Sequence, residues 1–322
     1  MKVKSFAKIN LGIEVLRKRA DGYHEIRTLF QSIRLFDEIE FEPRPDGLIT
    51  LRGDREDVPW DERNLITKAV HLLKEKFRVE GGVKISVVKR IPPGKGLGGG
   101  SSNAAVTLWA LNQVWRLGLD KAGLMALGRT LGADVPYFLE GGLCLGEDRG
   151  DRIRPLADLP PLDCCLVFPD FAISTAEAYG RCRPRLTSGD EPSKITQFIA
   201  RKDFGFLEND LEAAAFELNP RLKDFKSLFR REETLLSLVS GSGSTVFALF
   251  PDRDKAERAF KNAQREARAL LVETLPRERY WKEIVAGVSP SGKATDFGSV
   301  IRRFESSRPS LLLKDKRQRN KT

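Results

Sequence analysis

Histidine, methionine and cysteine are scarce in this chain of 322 residues, which holds two, two and four of them. Two histidines, His24 and His71, cannot build a histidine-rich metal cluster. The four cysteines, Cys144, Cys164, Cys165 and Cys182, show no CxxC spacing, so neither a zinc ribbon nor a thioredoxin-like redox motif is present. A chain of this length buries enough apolar surface to fold without disulfides, and the cysteines are expected as buried, reduced thiols of a cytoplasmic protein. No apolar run approaches the roughly 18 residues of a membrane span. The opening, MKVKSFAKINLGIEV, alternates apolar and polar residues and lacks the apolar core and cleavage site of a secretion signal. Neither membrane nor export is expected.

What is present fits a folded protein of about two domains, with 41% hydrophobic and 31% charged residues. The formal net charge of +10 suggests nucleic acid until it is located along the chain. Residues 286–322 hold nine Lys or Arg against three Asp or Glu, a net +6 that leaves +4 for the first 285 residues. The body is thus mildly basic, and no aromatic stripe of the RNA-binding kind accompanies the tail. No nucleic-acid partner is expected.

Residues 6–15, 33–41 and 81–91 read as strands, the last alternating Val83, Ile85 and Val87. Helical spacing follows over 64–77, 101–117 and 121–131. Short strands are expected at 143–145 and 164–168, separated by Pro155, Pro160 and Pro161, where a domain boundary is placed. Further on, helices are read at 175–181, 208–217 and 254–268, and strands at 235–239 and 245–250.

PPGKGLGGGSSNAA, residues 92–105, lies between a predicted strand and a predicted helix. Glycines there let the backbone approach a ligand, and the helix start, capped by Ser101 or Ser102, offers amides and a positive dipole end to phosphate. The Walker pattern fails because no Lys follows the last glycine. A flexible glycine linker is the plainer alternative, but linkers rarely join a strand directly to an apolar periodic helix.

The loop resembles the second motif of the GHMP small-molecule kinases. AKINLGIEVLRKRADGYHEIRTLFQSI (7–33), LGADVPYFL (131–139) and SGSGST (240–245) narrow the likeness to the branch that phosphorylates the 2-hydroxyl of 4-diphosphocytidyl-2-C-methyl-D-erythritol on the non-mevalonate route to isoprenoid precursors. The matches run in order from the first strand to about residue 250. The resemblance implies an α+β fold, with a ribosomal-protein-S5-domain-2-like N-terminal domain (1–155), a ferredoxin-like C-terminal domain (156–285), and an active site in the cleft between them. ATP would be the phosphoryl donor and would carry its own Mg2+. The protein would be a monomer or weak homodimer. Another GHMP kinase, for homoserine or mevalonate, and a basic nucleic-acid-binding protein are the alternatives.

The likeness also assigns residues. Asp134 would accept the proton of the reacting hydroxyl while Lys8 holds carboxylate and hydroxyl in place. A structural ion pair, or a helix cap by Asp134 before Pro136, would account for the same residues. Asn10, two positions from Lys8, shares its strand face. Tyr23 and His24 would hold the cytosine and Tyr179 cover its other face, where the family often has Phe. Thr175 joins the substrate or merely caps a helix, and Gly241, Ser242, Gly243 and Ser244 would close the cleft. Around ATP the resemblance points to Asn64, Leu65, Lys89 and Asn103 for adenine and ribose. Pro92, Pro93, Gly94, Lys95, Gly96, Leu97, Gly98, Gly99, Gly100, Ser101 and Ser102 would surround the phosphates. The stretch GEDRGDR (146–152) departs from the family's glycine-rich turn and is expected to alter loop shape without touching the chemistry.

The tail beyond residue 285 has no apolar periodicity and no place in the family pattern. Residues 303–306, Arg-Phe-Glu-Ser, can be encoded by AGG TTC GAA TCC, which contains a transfer RNA T-loop. Residues 296–298 can likewise hold a glutamine anticodon region. About 24 codons, residues 287–310, cover roughly one transfer RNA gene, so the reading frame is expected to have run on through such a gene into a disordered basic tail.

Overall fold

The first two strands set the frame. β1 (Lys2–Lys18) and β2 (His24–Arg44) pair antiparallel, with Lys8 opposite Ser32 and Asn10 opposite Phe30. In this computed structural model, which describes residues 1–183, 193–230 and 232–285, residues 5–15 of β1 are buried without alternation. Both faces of the strand are covered. Ala7, Ile9 and Leu11 pack into a core that also contains Leu166, Phe247 and Leu249 of the second half, whereas Phe6 joins the core of the first half. Burying Ile9 and Leu11 contributes about 1.5–3 kcal/mol each, which helps to offset the cost of holding Lys8 in the same strand.

β3 (Ile49–Gly53), β4 (Gly82–Val88), β5 (Leu143–Glu147) and β6 (Arg152–Pro155) complete a six-stranded sheet in the order β3-β4-β2-β5-β6, with β1 on β2. α1 (Leu65–Phe77), α2 (Gly99–Val114), α3 (Lys121–Leu131) and the single turn α4 (Val135–Phe138) cover it. α2 is apolar on nearly every side, buried from Ser102 to Asn112, because it lies between the sheet and its neighbouring helices.

The second domain is a four-stranded antiparallel sheet, β10-β7-β9-β8, built from β7 (Asp163–Phe168), β8 (Leu236–Val239), β9 (Val246–Phe250) and β10 (Arg268–Glu273). α5 (Thr175–Arg181), α6 (Lys194–Arg201), α7 (Leu211–Leu218), α8 (Arg221–Ser227) and α9 (Arg253–Ala263) belong to it. The helix read over 254–268 ends at Ala263, since Arg268 onward pairs with β7.

The boundary at 155 coincides with the end of β6, but the assignment of all residues up to 285 to the second domain needs correction. α10 (Arg277–Val285) returns to the first domain, where Leu275, Tyr280, Ile284 and Val285 enter the core around Phe6 and Phe138. The Tyr280 hydroxyl donates to Phe138 O at 2.7 Å, and Trp281 Nε1 donates to Glu140 O at 2.9 Å. The tail reading, residues 286–322, lies outside the described residues.

Candidate active site

Between β4 and α2 the backbone turns on Gly94, Gly96 and Gly98, with φ of +65°, +76° and +69°. Gly98 is the N-cap of α2 and no side chain caps that end. The expectation that Ser101 or Ser102 caps it is therefore corrected. Ser102 is buried and donates to Phe6 O at 2.6 Å, tying α2 to β1. The first amides of α2 receive no side-chain cap and are left for an anion. Asn64, Leu65, Lys89, Asn103 and the loop from Pro92 to Ser101 line one cavity of about 380 Å³. Ser102 does not reach it.

Several of these side chains brace the loop. Asp37, fully buried, pairs with Lys89 and accepts from the amides of Arg90 and Ile91 at 2.8 Å and from Asn103 Nδ2 at 2.9 Å. It holds the strand-to-loop corner closed. Asn64 spends its side chain as the N-cap of α1, accepting from Ile66 N, and on Pro59 O. Lys95 was expected among the phosphates, yet its ammonium donates to Pro169 O, Phe171 O and Ser244 Oγ. It docks the loop on the second domain, and partial burial pushes its pKa down.

On the other side of the loop, Lys8 Nζ stands 3.7 Å from Asp134 Oδ2, with side-chain exposures of 4% and 34%. The lysine also donates to Asn10 Oδ1, and Asn10 Nδ2 donates to Thr28 Oγ1 at 2.8 Å, so Asn10 fixes the ammonium as its strand position implied. Burial pushes the Lys8 pKa down and the Asp134 carboxylate opposes that shift. Asp134 precedes α4 but makes no side-chain cap bond, so the cap reading fails and the carboxylate stays accessible. Lys8 N donates to Leu97 O at 3.1 Å, which fastens this strand to the glycine loop.

Lys8, Asn10 and Asp134 line a second cavity of about 670 Å³ together with Tyr23, His24, Thr175, Tyr179, Gly241 and Ser242. Gly96 and Gly98 line both cavities. The loop is thus the shared wall between the two cavities. Thr175 Oγ1 and Ser242 Oγ are 2.8 Å apart, and Ser174, not Thr175, caps α5. Gly243 and Ser244 do not line the cavity. Ser244 Oγ is buried and donates to Phe171 O at 2.6 Å.

His24 and Tyr179 stack on each other, with centroids 5.2 Å apart and planes at 26°. Rings at this spacing are in direct contact, and together they form one wall while Tyr23, 55% exposed, offers the other aromatic face. Burial and nearby Lys18 hold the His24 pKa below its ordinary value, leaving a neutral imidazole with one donor and one acceptor.

Arg149 was missed, and through it the 146–152 turn, expected to differ in shape, lines this cavity. Its guanidinium carbon lies 5.0 Å from the Tyr23 ring centroid, and Asp151 holds it at 2.6 Å. All four cysteines are buried thiols outside any disulfide, and burial pushes the Cys144 and Cys165 thiols up to about 12 and that of Cys164 well above its ordinary value, so none of these three is a nucleophile near neutral pH.

Family models match both halves: the GHMP kinases N terminal domain over residues 64–142 and the GHMP kinases C terminal domain over 197–269. A protein of Syntrophus aciditrophicus named 4-diphosphocytidyl-2-C-methyl-D-erythritol kinase is 40% identical over 260 residues, covering 80% of this chain and 93% of its own. One of the same name from Pelotomaculum thermopropionicum is 39% identical over 271 residues, covering 83% and 94%. The chain belongs to the 4-diphosphocytidyl-2-C-methyl-D-erythritol kinase family. A crystal structure of a 4-(cytidine 5'-diphospho)-2C-methyl-D-erythritol kinase superposes with a TM-score of 0.73 at 38% identity, covering 85% of this chain and 99% of that one. Homoserine kinase from Cytophaga hutchinsonii gives 0.68 at 18% identity and shares the fold alone. The kinase fold, α+β with two GHMP domains, is as the sequence led us to expect, and no helix among the described residues is long and apolar enough to cross a membrane.

Proposed function

We propose that this chain transfers the γ-phosphoryl group of ATP to the 2-hydroxyl of 4-diphosphocytidyl-2-C-methyl-D-erythritol. The observation that carries the reading is the shared wall. Gly96 and Gly98 face both cavities, and the Lys8–Asp134 pair stands in the acceptor cavity beside them. ATP lies along the loop with its phosphates on the uncapped amides of α2. The acceptor hydroxyl sits against Asp134, its oxygen attacks the γ-phosphorus, the bond to the β,γ-bridging oxygen breaks, and Asp134 takes the proton. Lys8 stabilises the carboxylate and the oxygens of the transferred group.

Among the described residues Asp134 is the only carboxylate lining the acceptor cavity, and no group of three or more His, Cys, Asp or Glu gathers. That donor set fits Mg2+ held chiefly by the nucleotide's phosphates, with Asp134 as the available protein oxygen. The ion would supply charge neutralisation between the β- and γ-phosphates.

Tyr23 and the His24–Tyr179 wall hold the cytosine, and neutral His24 bonds its edge. This aromatic pocket favours a cytidyl acceptor over the homoserine and mevalonate alternatives. The nucleic-acid alternative rests on charge in residues 286–322, which lie outside the described residues. A cytoplasmic, monomeric or weakly dimeric enzyme suits the reading. The deciding assay follows ATP consumption with the cytidyl substrate against CTP, homoserine and mevalonate. Turnover with homoserine or mevalonate at a comparable kcat/KM would overturn it.

Tyr23→Ala or Tyr179→Ala is expected to weaken the cytidyl substrate by roughly 1–3 kcal/mol, the scale of one lost stacking partner, and to spare ATP. Equal losses in the two KM values would show the cavities to be misassigned. A chain ending at Val285 should keep full activity and melting temperature, since Ile284 and Val285 already complete the core and the curated relatives align over 260–271 residues. The nucleotide sequence under residues 287–310 should fold as a cloverleaf; one without transfer RNA stems would refute the read-through origin.

A further inference from the structure

On the second domain, α7, α8 and the edge strand β8 enclose a cavity of about 340 Å³ that shares no lining residue with the two cavities above. Its size lies within the range of small-ligand pockets. Lys223, Lys226 and Arg230 give it three cations and no carboxylate lines it. Among the described residues neither Lys223 nor Arg230 meets an acidic partner, while Lys226 Nζ shares Glu212 at 2.6 Å. Two phenylalanines form the apolar part. Phe229 is buried, and Phe216 lies 5.8 and 5.9 Å from the Lys223 and Lys226 ammonium groups. Ser237 of β8 also lines the cavity, and its Oγ is buried without a hydrogen-bond partner. A buried hydroxyl left unpaired is costly and rare.

Two exposed cations without an acidic partner among the described residues, an apolar floor and an unpaired hydroxyl suit one kind of occupant, an anion with several acceptor oxygens attached to a small ring or hydrocarbon group. We propose that this cavity is a second binding site, separate from the catalytic one, for a small organic phosphate. The phosphate oxygens accept from Lys223, Arg230 and Ser237 Oγ, and the apolar part lies on Phe216 and Phe229. The site is joined to the acceptor cavity by a line of bonds. Lys226 holds Glu212 Oε2, Glu212 Oε1 accepts from Val239 N at 2.7 Å, and the next residue, Ser240, donates to Gly96 O at 2.9 Å. A phosphate that draws Lys226 away from Glu212 would be felt at Val239.

The test uses the full chain with its nucleotide cavity saturated by a non-hydrolysable ATP analogue, so that the glycine loop cannot take up the probe. Inorganic phosphate and phenyl phosphate are titrated and followed by calorimetry and by backbone amide resonances. Phenyl phosphate should bind saturably and at least five-fold more tightly than inorganic phosphate. It should move the Ser237 and Val239 amides and weaken at least ten-fold in Lys223→Ala/Arg230→Ala, whose two side chains are exposed and leave the fold intact. No saturable binding, or binding unchanged in the double variant, would overturn the site. Equal affinity for the two probes would overturn the organic-phosphate assignment, and a Val239 amide that stays put would overturn the link to the acceptor cavity.

Discussion

Asp134→Asn should lower kcat by a hundredfold or more and leave the affinity for ATP nearly unchanged, because the amide keeps the shape of the carboxylate but cannot take a proton. Single-turnover kinetics with the cytidyl substrate, alongside equilibrium binding of an ATP analogue, separate the two effects. Retention of more than about a tenth of wild-type turnover would remove Asp134 from the role of base. The substitution also carries a pH signature. Lys8 is held below its ordinary pKa of 10.5 by burial, and Asp134 is the partner that opposes the shift. A lysine whose folded pKa is depressed costs stability at low pH, and the cost is relieved as pH rises from the lowered value to 10.5. With the carboxylate gone burial acts alone, so the variant's stability should begin to rise at a lower pH than the wild type's. Thermal melts across the alkaline range measure it. Identical profiles would mean that Lys8 and Asp134 are electrostatically independent, and the 3.7 Å pair would then be incidental.

Which parts of this site could be read from sequence follows from how locally each is determined. Period-two geometry put Lys8 and Asn10 on one face of β1, and the structure joins them by a hydrogen bond. Glycine spacing marked the phosphate loop because positive φ is a property of single residues. Side-chain direction is not local in that way. Lys95 and Ser102 look like phosphate ligands in a glycine-rich string, yet one reaches Phe171 and the other Phe6, in the second domain and in β1. Arg149 was missed because the turn that carries it meets the hairpin tip only through tertiary contacts, Ile26 N to Asp148 O and Arg19 to Asp148. α10 was missed for the same reason. Its anchors, Phe138 and Glu140, lie about 140 positions upstream, although Tyr280, Trp281, Ile284 and Val285 already recur at helical spacing.

Gly96→Ala should be nearly as damaging as Asp134→Asn, although it removes no functional group. Gly96 has a φ of +76°, and a Cβ added there would sit 2.1 Å from Ser240 O and 3.1 Å from Gly243 O. Both are backbone atoms, so no rotamer change relieves the clash. The same contact is the seam between the two domains, where Ser240 Oγ donates to Gly96 O and Thr245 N to Lys95 O at 3.3 Å. To admit a methyl group the loop must withdraw from the 240–245 turn, which spoils the shared wall that sets ATP against the acceptor. We expect kcat/KM for ATP to fall at least a hundredfold, or about 2.7 kcal/mol of transition-state stabilisation. Gly94→Ala is the control. Its φ of +65° imposes similar backbone strain, about 1–2 kcal/mol, but a Cβ there meets nothing within 4 Å, so most activity should survive. If both alanine variants lose activity equally, backbone strain alone explains the loop glycines. If only Gly96→Ala fails, close docking of the phosphate loop on the second domain is what the reaction requires.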